Sequence, residues 1–132
     1  MVSEHMNHAR NFLKNAREYL AAAEDSLAAG RHTPAAGDAI HAGINAKDAI
    51  VTALTGTTSK RKNRSAAAGE LKQALGQRPD AATAERAFRE LISAKSEVEY
   101  GVALVTAAKA EPLVRRARTL VELAVQIVRL GR

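Results

Sequence analysis

The chain contains no cysteine and no tryptophan, and its only aromatic side chains are two phenylalanines and two tyrosines. Without cysteine there is neither a disulfide framework nor a thiolate metal site. No stretch approaches the roughly 20 consecutive apolar residues of a membrane-spanning helix. The polar segment Met1–Arg10 lacks the apolar centre of a secretory signal. The expected compartment is therefore the cytoplasm, with no membrane partner. Also missing are a glycine-rich loop ending in Gly-Lys-Ser/Thr and any carboxylate–histidine set at metal-ligand spacing, so neither a metal nor a cofactor is expected.

What is present is alanine and positive charge. The chain has 132 residues, the size of one domain with one core, and alanine is the largest contributor to its 46% hydrophobic content. Twenty Lys and Arg face fourteen Asp and Glu, a formal charge of +6. Lys60, Arg61, Lys62 and Arg64 form one cluster, Arg115, Arg116 and Arg118 a second, and Arg129 and Arg132 close the chain. Such a balance favours anionic partners: RNA, DNA, a nucleotide or an acidic protein face.

Apolar residues recur at helical spacing in five segments. The first spans about Asn7–Ala29, with Phe12, Ala16, Tyr19, Leu20, Ala23 and Leu27 on one face and Gly30 as its stop. Residues 1–6 are expected outside the folded part. Thr33-Pro34 opens the second, which runs to about Leu54 with Ala36, Ile40, Ile44, Val51 and Leu54 inward and Gly56 after it. Gly43 and Ala46 beside that face allow a second helix to approach closely.

A polar loop, Thr55–Asn63, carries the basic run. Ser65 caps a short third helix ending near Leu75 and Gly76, and Pro79-Asp80 starts the fourth, which ends at Tyr100-Gly101. The fifth starts between Thr106 and Glu111, with Pro112 favouring Glu111 or else a kink there, and ends near Leu130. The expected fold is all-α: an up-and-down bundle of about five helices in a single domain, residues 1–132.

The candidate sites are few. Lys60, Arg61, Lys62 and Arg64 precede a helix N-terminus, where free N–H groups and the dipole favour phosphate, so they are candidate nucleic-acid or phosphate ligands. No aromatic residue lies nearby to stack on a base, which disfavours sequence-specific reading of a single strand. Lys47 falls on the apolar face of the second helix and needs an acid from a neighbouring helix (Glu24 or Glu99), a ligand or a subunit contact. Asp48 beside it is expected to face solvent. His41 and Asn45, one turn apart, are a candidate ligand or interface pair. No catalytic residue is assigned.

Several segments in order resemble a family. They are His8-Ala9-Arg10-Asn11-Phe12-Leu13, Ala21-Ala22-Ala23-Glu24-Asp25-Ser26-Leu27, Arg31-His32-Thr33-Pro34-Ala35-Ala36, the run Ala39–Ile50, and Glu97-Val98-Glu99-Tyr100-Gly101. Together they are similar to the HEPN domains, small bacterial and archaeal helical bundles often encoded beside a nucleotidyltransferase. The resemblance implies a HEPN-like bundle, a homodimer, and a link to RNA cleavage, as in toxin–antitoxin pairs. The nuclease members carry an arginine followed four to six residues later by a histidine. Here Asn63-Arg64-Ser65 stands where that histidine belongs, and a permanently protonated arginine cannot shuttle a proton near neutral pH.

The expectation is thus a non-catalytic dimeric binding module, joined through its first and last helices, acting with a nucleotidyltransferase partner or with nucleic acid. Two alternatives stand beside it. One is a ribonuclease with displaced residues, using His41 or His32. The other is a non-specific basic DNA-binding protein.

Overall fold

The computed structural model describes residues 3–57 and 64–130. Within them the chain forms five α-helices and no strand: α1 (Glu4–Ala28), α2 (His32–Thr55), α3 (Arg64–Leu75), α4 (Ala81–Tyr100) and α5 (Ala107–Leu130). The expected all-α bundle is what the chain builds.

The turn between α1 and α2 takes three residues because Gly30 adopts a φ of 76°. That conformation lets Arg31 N–H donate to the Ser26 carbonyl at 2.8 Å and Gly30 N–H to that of Leu27 at 3.1 Å, a Schellman closure that reverses the chain. Gly56 and Gly76 likewise leave their helices at positive φ.

α2 is the centre of the bundle and packs against all four other helices, whereas the backbones of α1 and α4 do not approach each other closely. Twelve α2 residues are buried, on nearly every side, not the single face that its periodicity suggests. Alanine makes this possible. Ala9, Ala16 and Ala23 recur every seven residues along α1, and Ala39, Ala42, Ala46 and Ala49 at spacings of three and four along α2; all are fully buried. Small side chains at heptad spacing let the two backbones approach closely. Phe12, Leu20 and Leu27 consequently sit half-buried at the edge of this seam, and Tyr19 is exposed.

Cross-helix contacts give the directions. Glu24 meets Arg118 while Arg10 and Arg17 share a hollow with Val125 and Arg129, and Glu90 meets Arg116 while Glu97 meets Lys109, so α5 runs antiparallel to both α1 and α4. α1, α2, α4 and α5 therefore form the up-and-down bundle, and α3 packs across α2 and α4 through Ala68, Leu71 and Leu75.

The starts of α1, α2 and α3 differ from expectation; α3 begins at Arg64, so Ser65 is its second residue and not its cap. α1 begins at Glu4, and Met6, expected outside the folded part, is only 5% exposed. α2 begins at His32, so Thr33 is its second residue and does not cap it; Pro34 falls third, still within the turn whose N–H groups have no helix acceptor. α5 begins at Ala107, inside the range Thr106–Glu111 expected for it. There the Thr106 hydroxyl accepts from Lys109 N–H at 3.3 Å, and this cap lets the helix start upstream of Pro112. Asp80 occupies the N-cap position of α4 without a side-chain hydrogen bond to the helix.

Candidate functional site

The three candidate residues of α2 do not converge. Lys47 is 2% exposed and points to α3, where its Nζ donates to Glu70 Oε1 at 2.6 Å and lies 3.4 Å from Asp48 Oδ1. Its partner is thus neither Glu24 nor Glu99. Glu24 accepts from Arg118, and Glu99 from Lys95 at 2.9 Å. Asp48 does not face solvent freely either: its side chain is 22% exposed. Burial pushes its carboxyl above the usual range against the opposing pull of Lys47. This lysine is a structural cation that fastens α3 to α2.

His41 turns to the other side. Its ring lies 5.3 Å from that of Tyr19 on α1, inclined at 32°, and its Nε2 is 3.7 Å from Glu99 Oε1 on α4. The hydrogen bond from Lys95 holds the Glu99 carboxyl below its ordinary pKa, with the Lys95 charge and His41 acting in the same direction. Asn45 does not complete a site with this imidazole, since its amide donates back to the His41 carbonyl at 2.9 Å. It instead lines a polar hollow between α1 and α2 with Asn15, Glu18, Tyr19 and Asp38. A half-exposed imidazole beside an ionised carboxylate can hold or pass a proton.

The basic run Lys60, Arg61 and Lys62 lies outside the described residues, as does the side chain of Arg64; the backbone of Arg64 opens α3. In the second basic cluster, Arg116 binds Glu90 and Arg118 binds Glu24. Two of its three arginines are therefore neutralised by acids from α4 and α1.

Uncompensated charge collects elsewhere. Between α1 and α5 lies a shallow hollow of about 250 Å³, lined by Arg10, Leu13, Arg17, Val125, Val128 and Arg129. It continues along α1 past Lys14, Glu18 and Ala21. Lys14 and Glu18 form an exposed pair at 3.9 Å, but Arg10, Arg17 and Arg129 have no ion pair among the described residues. Helical spacing explains the arrangement: Arg10, Leu13 and Arg17 fall on one side of α1, and Val125, Val128 and Arg129 on one side of α5. Antiparallel packing then sets the two strips side by side. In the groove between α4 and α5, Lys109 pairs with Glu97, Arg89 with Glu85 and Glu90 with Arg116, which leaves Arg86 without an ion pair among the described residues.

No protein-family model, curated protein or solved structure matches the chain.

The α1–α5 surface was only half readable in advance. Arg10 and Arg17, seven residues apart with Leu13 between, mark a basic edge on a helix, and Arg129 stands out as a terminal charge. That these meet depends on which helix α5 packs against, and periodicity does not encode that. Among the described residues no cluster of His, Asp and Glu is placed to hold a metal ion.

Proposed function

We propose that the protein is a HEPN-like, non-catalytic binding module that acts as a homodimer and holds an anionic macromolecule, either a nucleotidyltransferase-type partner protein or nucleic acid. One observation carries this reading: Arg10, Arg17 and Arg129 gather on one hollow without acid partners among the described residues, while Lys95, Lys109, Arg116 and Arg118 are each matched by a carboxylate. Guanidinium groups left unpaired on one surface raise the local positive potential and steer an anionic partner to it. The run Lys60–Arg64 adds charge of the same sign.

Heparin chromatography tests the reading. Arg10→Ser/Arg17→Ser/Arg129→Ser should elute at clearly lower salt than Arg78→Ser/Arg86→Ser/Arg115→Ser, which removes the same charge from other surfaces. Equal elution of the two triple variants would refute a dedicated anionic surface on α1 and α5.

A second reading, a ribonuclease with displaced residues, has one supporting observation: the 3.7 Å approach of His41 to Glu99 on a partly open surface. Cleavage of RNA by the purified protein, abolished in His41→Ala, would favour it over the first.

A further inference from the structure

The α1–α5 hollow has a small apolar strip between its arginines. Leu13 and Val125 are half-buried, Val128 is buried, and Arg10, Arg17 and Arg129 surround them. Resting on the reading of this face as the working surface, we infer that its occupant is an acidic amphipathic helix of a partner protein.

Three occupants compete, and their chemistry separates them. A second copy placed symmetrically would set this arginine-lined patch against an identical one, because a two-fold interface pairs a patch with itself. Like charges in that arrangement repel. A phosphodiester backbone would satisfy the guanidiniums but gains nothing from Leu13, Val125 and Val128, and no aromatic side chain lines the hollow to stack on a base. An amphipathic helix uses both components: its apolar face covers the strip while flanking carboxylates accept from the arginines.

The dimensions agree. Arg10 and Arg17 stand seven residues apart on α1, about 10 Å along the axis, or two turns. A helix lying in the hollow therefore presents apolar anchors at i, i+3 and i+7, with acids on either side of that stripe. It would pack where two antiparallel helices already offer a furrow, extending the bundle by one element. The mixed character of the surface also makes recognition selective. Burial of apolar area supplies affinity, and the arginines reject neutral or basic helices.

The test is fluorescence anisotropy on the full chain with three labelled probes of similar length: a peptide with leucines at i, i+3 and i+7 flanked by glutamates, a scrambled peptide of the same composition, and single-stranded RNA. The patterned peptide should bind at least tenfold more tightly than the scrambled one. Arg10→Ser/Arg17→Ser and, independently, Leu13→Ser/Val125→Thr should each weaken it about tenfold, with thermal melts confirming that both variants are folded. Equal binding of the two peptides overturns the inference. So does RNA binding that depends on the three arginines but not on Leu13 and Val125, although the anionic working surface would then stand. If neither peptide nor RNA binds, the proposed function falls with it.

Discussion

Nζ of Lys47 and Oε1 of Glu70 lie 2.6 Å apart, with the lysine side chain 2% exposed and the glutamate 24% exposed. The cation of this pair is buried and the anion keeps access to water, so the two halves differ in what their loss leaves behind. Deleting the acid strands a buried ammonium, with only Asp48 at 3.4 Å to meet it. Deleting the amine leaves a carboxylate that water can still reach. Glu70→Ala should therefore cost about 2–3 kcal/mol, and Lys47→Met, which keeps the buried stem, under about 1 kcal/mol. Urea denaturation of both variants checks this, and a larger loss for Lys47→Met would refute it.

The same residue marks how far the sequence could be read. Lys47 stood out because an ammonium at helical spacing among Ile40, Ile44, Val51 and Leu54 demands a partner. The partner itself was hidden: Glu70 lies in a short helix whose position depends on how it folds back over α2. The five helices and their glycine stops were readable because periodicity and positive-φ turns are local properties. The burial of α2 on all sides was not, since alanine carries almost no amphipathic contrast. The meeting of Arg10, Arg17 and Arg129 escaped for the first reason again, as it needs the α1–α5 pairing.

Two acids should respond to pH with opposite signs. The Glu99 carboxyl is held down by Lys95, so its contribution is present above the ordinary glutamate pKa of 4.5 and lost as pH falls through the lowered folded value. Asp48 is raised by burial, so its ionised form opposes folding above the raised value, and that penalty disappears below the ordinary 3.8. At pH 7, Glu99→Gln should lose stability and Asp48→Asn should gain it, each by about 1 kcal/mol or less. The Asp48 difference should fade as pH falls below the ordinary 3.8, and the Glu99 difference should shrink as pH falls below 4.5; denaturation midpoints across that range measure both. Changes of the same sign in the two variants would contradict this assignment.

Glycines of one helix should likewise part company. A methyl group on Gly43 would stand 2.5 Å from Leu91 Cδ1 and 3.6 Å from Leu120 Cδ1, where α4 and α5 close on α2. Leu91 is fully buried and has nowhere to retreat. On Gly37 the same group meets nothing within 4 Å. Replacing either by alanine gains about 1 kcal/mol of helix preference. At position 43 overpacking of about 1–3 kcal/mol outweighs that gain. Gly37→Ala should raise the melting temperature and Gly43→Ala lower it, and a stabilised Gly43→Ala would mean that the three helices are less tightly joined than described.

The proposed homodimer needs a surface other than the arginine-lined face of α1 and α5, where a symmetric contact would oppose like charges. The turn between α4 and α5 offers one: Tyr100 is 76% exposed, Val102 fully exposed and Leu104 91% exposed, in a stretch without a charged residue from Tyr100 to Ala108. Exposed apolar side chains of this kind contribute little to the fold of a single chain, so Val102→Ser/Leu104→Ser should change unfolding free energy by about 0.5 kcal/mol or less. They should matter to association, because covering such a patch is what favours a subunit contact. Sedimentation velocity at micromolar concentration should find the wild-type chain dimeric and the double variant shifted to monomer at unchanged melting temperature. A wild-type monomer would remove the homodimer from the proposal, and a double variant as dimeric as the wild type would move the contact away from this turn.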